Sequence, residues 1–228
     1  MNLTNLTRLH PRQDLIYASR NHTVLATNPD GFVEAGPDCG LFYHQTRLLS
    51  RYRYLINGKP PQPVALSNVE QDSWLGYYIA LSPNADKKDT EPAGDGKKAT
   101  KQPIELRISR FAGDGIHECV ALTNFTRKPV DLTLTLEVDA DFADKNETNS
   151  QHRLQKGRLR RRWRHSNHHK WELAFDYCAK HHFDHQGNRG TAKLHRGVLV
   201  RILESDSEPS YKRGRICFDL HIEPHGSW

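Results

Sequence analysis

The sequence is poor in the features that catalytic metals, redox couples and membranes require. Its four cysteines, Cys39, Cys119, Cys178 and Cys217, stand far apart. Without a Cys-x-x-Cys pair, neither a zinc knuckle nor a dithiol redox motif is available. Cys119 and Cys217 fall inside apolar alternating runs, where a free thiol behaves as a small hydrophobe. The first residues, Met1–Arg8, lack the apolar stretch of a secretory signal. No run approaches the roughly 18 apolar residues that cross a bilayer. A reduced, cytoplasmic setting is the expectation, and the Asn-x-Thr triplets at Asn2, Asn5, Asn21, Asn124 and Asn146 would matter only in a secreted chain. No Gly-rich phosphate loop opens a helix and no Gly-x-Ser-x-Gly elbow occurs, so neither nucleotide nor acyl-transfer chemistry is indicated. No long segment keeps helical apolar spacing.

What is present is alternation. Val130, Leu132, Leu134, Leu136 and Val138 alternate with Asp131, Thr133, Thr135 and Glu137, the period of a strand with one wet face. Ile104–Ile108, Trp171–Tyr177 and Ile216–Ile222 behave alike. Turn chemistry punctuates these runs at Asn28-Pro29-Asp30-Gly31 and Ala112-Gly113-Asp114-Gly115, and Asn57-Gly58 readily supplies the positive φ angles of a tight hairpin turn. The run from Ile104 to Val138 predicts a three-strand meander. Residues 82–102, rich in Lys, Asp, Gly, Pro and Ala, have almost nothing to bury and predict a disordered surface loop. At 228 residues with mean hydropathy −0.78, the expectation is one all-β domain over 1–228, a two-sheet antiparallel β-sandwich.

Several segments carry a resemblance. Gly40-Leu41-Phe42-Tyr43-His44-Gln45-Thr46-Arg47-Leu48-Leu49-Ser50 resembles the "GLF…DTR-(F/L)-LS" segment of the N-terminal domain of many bacterial glycogen debranching enzymes. The strand, Asn-Gly, Pro shape of Arg51–Pro61 continues the match. Gly115-Ile116-His117-Glu118 with Leu122–Thr126 looks like that family's "G-(L/I)-H-E…N" hairpin, and Asp139-Ala140-Asp141-Phe142-Ala143-Asp144 looks like its "ADFAD" strand end. The chain departs at Gln45, where the family has an acid, and at Lys145–Asn149, where it has an apolar and acidic stretch. The resemblance implies a supersandwich-like module preceding an (α/α)6 barrel, in cis or on a separate chain, that carries the catalytic acids. It implies that this chain is not catalytic alone, helps frame a cleft for α-glucan, and needs no cofactor or metal.

Asp139, Asp141, Asp144 and Glu147 form the densest acidic cluster. As a glycosidase pair they would need an enclosing cleft that sets two carboxyl pKa values apart, which a sandwich edge rarely gives. The resemblance instead implies that Asp141 and Asp144 shape an interface toward a barrel. Arg47 could pair bidentately with either acid. The basic run of Arg158, Arg160, Arg161, Arg162, Trp163 and Arg164 has the composition that neutralises phosphates, with an indole to stack on a base. Its bland counterpart is a solvated strand with Leu159, Arg161 and Trp163 on one face. No nucleic-acid fold accompanies the run, so nucleic acid is not the expected partner. Histidines cluster near His165, His181 and His182, but neighbours on a strand point to opposite faces and do not converge on a metal. Tyr52, Tyr54, Trp74, Tyr77 and Tyr78 would stack on sugar rings if exposed, and otherwise fill a core.

Overall fold

The computed structural model describes residues 14–34, 36–81, 103–148, 153, 157–165, 171–185 and 187–228. The expected loop at 82–102 lies outside the described residues. Among those described, the chain is built from β1 (Ile16–Arg20), β2 (Thr23–Thr27), β3 (Gly40–Tyr43), β4 (Thr46–Leu49), β5 (Arg51–Ile56), β6 (Gln62–Glu70), β7 (Ser73–Leu81) and β8 (Pro103–Ala112). It continues through β9 (Ile116–Asn124), β10 (Val130–Asp139), a single turn of helix α1 (Lys145–Thr148), β11 (Gly157–His165), β12 (Trp171–His185), β13 (Asn188–Ile202), β14 (Ser210–Lys212) and β15 (Arg215–Ile222). The all-β class expected from the alternation is what the fold has.

Hydrogen bonding divides the strands among four antiparallel sheets, in the orders β1-β2-β3-β4, β14-β15-β10-β5, β11-β12-β13 and β6-β7-β8-β9. One apolar core joins all four. Leu25 and Leu41 come from the first, Leu134 and Phe218 from the second, Leu173 and Phe175 from the third, and Leu106 and Ile108 from the last. A side chain of this kind, fully buried, contributes about 1.5–3 kcal/mol. The Asn57-Gly58 turn forms as its residues require, with φ angles of 49° and 75° and reciprocal backbone bonds between Ile56 and Lys59.

The expected meander runs only halfway. β8 and β9 pair, but β10 leaves that sheet and runs between β15 and β5. Asn124 makes the corner: its fully buried amide donates to the carbonyls of Lys128, Ile222 and Glu223 and its oxygen accepts from Thr126 N–H. A short polar side chain that satisfies several backbone groups favours a bend over a continued ladder.

Glycine decides one close approach. A Cβ on Gly31 or Gly76 would lie 2.3 Å from a carbon of the Trp74 ring. The indole therefore seats only because both positions are bare, and Gly31 also holds φ +78°, a left-handed conformation that glycine adopts without strain.

Candidate functional site

β10 ends at Asp139, and the segment that follows is held by its own side chains before anything else touches it. Asp139 Oδ1 accepts from Ala140 N–H at 2.8 Å, and Asp141 Oδ1 from Ala143 N–H at 3.3 Å, as short acidic side chains do in turns. Asp144 and Glu147 then close α1 reciprocally: Glu147 Oε2 accepts from Asp144 N–H at 3.1 Å and Glu147 N–H donates to the Asp144 carbonyl. The Glu147 side chain thus supplies one arm of a capping box, while the Asp144 side chain turns instead to Thr46 and Arg196. Between Asp141 and Ala143, Phe142 has φ 52°, uncommon for a bulky residue. It is fully buried and stacks on Tyr177 with ring centroids 5.5 Å apart.

Each acid of this segment meets an arginine from elsewhere. Arg47 lies across Asp141, with Nη2 at 2.6 Å and Nε at 3.2 Å, and Nη1 donates to the Gly36 and Cys39 carbonyls. Arg196 Nη1 stands 2.9 Å from Asp144 and donates to the Phe142 carbonyl. Arg161 Nη2 pairs with Asp139 at 2.7 Å, and Arg153 donates to the Asp141 carbonyl while lying 3.9 Å from the buried Glu147. Backbone bonds from Arg47 N–H to the Ala143 carbonyl and from Lys145 N–H to the Gln45 carbonyl tie β4 to the same segment. Chemically this is a lock in which guanidinium groups neutralise carboxylates and cap strained backbone.

Arg47, Asp141 and Asp144 are thus brought together. Arg196 and Arg153 complete the group and carry no local sequence signal, because Arg196 lies on another hairpin and Arg153 between α1 and β11. The aromatic set is mostly interior. Tyr54, Trp74 and Tyr78 are buried, and Tyr52 and Tyr77 half-buried. Tyr52 and Tyr54 both donate to Glu118, which also pairs with the buried Arg110. Burial pushes both phenols well above their ordinary pKa, and the Glu118 charge pushes in the same direction. Tyr78 donates to the Asp30 carbonyl at 2.6 Å. Arg110 and Glu118 face each other across the β8–β9 hairpin, a charged pair in two otherwise alternating strands.

The basic run forms β11. Alternation puts Arg158, Arg160, Arg162 and Arg164 outward, while Leu159, Arg161 and Trp163 turn toward the body of the chain. Trp163 is stacked on Trp171 and on Tyr211, each at 5.5 Å, so its rings are engaged inside the molecule. Arg162 pairs with Asp176 at 2.6 Å, and Arg164 and Arg201 share Glu172. The hydrogen bond from Arg201 lowers the Glu172 pKa; burial opposes it, and Arg164 adds to the lowering.

A cleft of about 560 Å³ is lined by Arg51, Glu137, Asp139, Lys212, Arg213 and Arg215, among others. Burial would raise the Glu137 pKa, but Arg53 and Arg215 outweigh it and hold the carboxyl below its ordinary range. With Asp139 on Arg161, both acids of the cleft are committed to arginines. Cys119 and Cys178 are exposed, and Cys39 and Cys217 half-buried, so the expected burial of Cys119 is not found. Among the described residues no three His, Cys, Asp or Glu side chains gather as a metal site would need. Nor, among them, is any helix long and apolar enough to cross a membrane.

No curated protein matches the chain. A family model does, described as the N-terminal domain of (some) glycogen debranching enzymes, and it matches residues 19–228. The match spans all four sheets, the Arg47–Asp141 lock and the Asn124 corner. The chain belongs to the family of N-terminal domains of glycogen debranching enzymes.

Proposed function

We propose that this chain is a non-catalytic module of a glycogen-debranching-type glycoside hydrolase. It forms a single domain over 1–228 that packs against an (α/α)6 catalytic barrel, in cis or on a separate chain, and helps frame the cleft that receives an α-glucan. The observation that carries this reading is the family match over residues 19–228. The commitment of the acidic cluster to arginines supports it: a glycosidase needs one carboxyl kept protonated and another kept ionised, whereas Asp139, Asp141 and Asp144 each sit on a guanidinium. In this reading the four sheets make up two facing layers of a sandwich around the shared core, the lock at Asp139–Glu147 gives a rigid edge to an interface, and the setting is cytoplasmic.

The test is electrophoresis of the purified chain through gels with and without glycogen, beside an assay for released glucose. The expected results are no release of glucose and, at most, a modest retardation by glycogen. Glucose released by the chain alone would refute the reading.

A further inference from the structure

Alternation along a sheet assigns more than β11 to the basic face. The register sets Arg158 beside Cys178 and His195, Arg160 beside Asp176 and Gly197, and Lys180 directly opposite Lys193. These side chains share the outward face, together with Arg162, Arg164 and Arg201. The carboxylates of that face are already engaged: Glu172 by Arg164 and Arg201, Asp176 by Arg162, Asp184 by Arg189. Arg158, Arg160, Lys180 and Lys193 have no ion-pair partner among the described residues and are all exposed. Like charges held opposite one another in a ladder oppose pairing of the strands, and an external anion relieves that repulsion.

Two further features decide what kind of anion fits. First, the face carries apolar surface where nucleic-acid surfaces carry aromatics. Leu199 is 45% and Leu203 58% exposed on or just beyond β13, and Leu199 lies beside Ala174, with Arg162 on that residue's other side. Leucine offers nothing to phosphate, but an apolar centre rimmed by arginines is the anatomy of a protein interface. Second, among the described residues β11 reaches only from His165 to Gly157, opposite Ala179. Beyond it, Lys180–His185 pairs only with Asn188–Lys193 among the described residues. A two-stranded ribbon is marginal without a third element against it, and this one exposes Phe183.

We infer that the outward face of β11–β13, with the arm beyond Gly157, is the docking surface for a carboxylate-rich protein face of the neighbouring enzyme domain. This rests on the packing reading above. Arginines already ordered on Glu172 and Asp176 meet the partner with little loss of side-chain freedom, and the leucines enter its apolar centre.

The test mixes the chain with the helical catalytic domain of a debranching enzyme whose N-terminal domain belongs to this family. That domain is expressed separately and checked for fold by circular dichroism. Association is followed by sedimentation velocity at low and high salt, with a short DNA duplex as a second probe. Arg158→Glu/Arg160→Glu and Leu199→Asp are each expected to weaken association by about tenfold or more, with unchanged urea unfolding. Arg107→Glu, an exposed change on β8, is expected to bind as the parent does. If the parent associates and the face variants do so equally well, packing stands and this inference falls. If the parent does not associate at all, the packing reading falls and takes the inference with it. Binding to duplex DNA alone, lost in the same variants, overturns the protein partner in favour of nucleic acid.

Discussion

Arginine and glutamate meet in this molecule in two contrasting settings. On β8 and β9, Arg110 and Glu118 leave 1% and 8% of their side chains exposed. Arg110 is ringed by Trp74, Phe32 and Tyr52. On β12, Glu172 is equally covered, but by two arginines, Arg164 and Arg201, that are themselves 58% and 42% exposed. The first pair is enclosed by aromatic rings, with the Tyr52 and Tyr54 hydroxyls on Glu118, and is shut off from solvent; the second is a thin ionic layer at the surface. The contacts look alike, yet the surrounding dielectric makes the first a structural necessity and the second an adjustable surface.

Removing one member of the enclosed pair is the strongest way to break this contrast. Arg110→Met keeps volume but leaves the Glu118 charge buried, and a loss of about 3–5 kcal/mol is expected by urea unfolding. A loss below about 1 kcal/mol would mean that solvent reaches the pair. The Arg47–Asp141 lock is intermediate, with Arg47 at 10% and Asp141 at 26% exposure. Arg47→Met strips hydrogen bonds from a carboxylate and two carbonyls, and about 2–3 kcal/mol is expected in the same assay.

Acid sharpens the surface side. Glu137 and Glu172 have pKa values lowered from 4.5 in the folded chain. Their contribution to stability is therefore present at neutral pH and is lost as pH falls below about 4.5 through the lowered folded values. Urea midpoints measured from pH 7 down to pH 3 are expected to decline on the acid side, and Glu172→Gln to flatten that decline. A variant whose acid limb is as steep as the parent's would show that the arginine pair does not hold Glu172 ionised. The smallest effect belongs to the exposed arginines: Arg162→Ala, at 65% side-chain exposure, is expected to shift stability by no more than about 0.5 kcal/mol.

Much of the fold could be read directly from residue order. Period-two runs located the starts of the strands at Ile104, Val130, Trp171 and Ile216 to within a few residues, because alternation is a local consequence of a pleated chain with one dry face. β13 was missed although Leu194, Val198, Val200 and Ile202 alternate along it. Its intervening positions include Arg196 and Gly197, which obscure the pattern. Of the site, Arg47, Asp141 and Asp144 could be named, but Arg153 and Arg196 could not. Arg196 meets Asp144 across 52 residues of chain, and only packing brings them together.

By itself, the amino-acid order determined strand positions, turns and the face each side chain takes, since those depend on neighbours one or two residues away. The tertiary structure decided which strands share a sheet, sending β10 to β15 and β5 around the Asn124 corner. It also decided which arginine neutralises which acid and which cations remain outside. Those outcomes depend on burial and on distances between remote segments, and no local pattern encodes either.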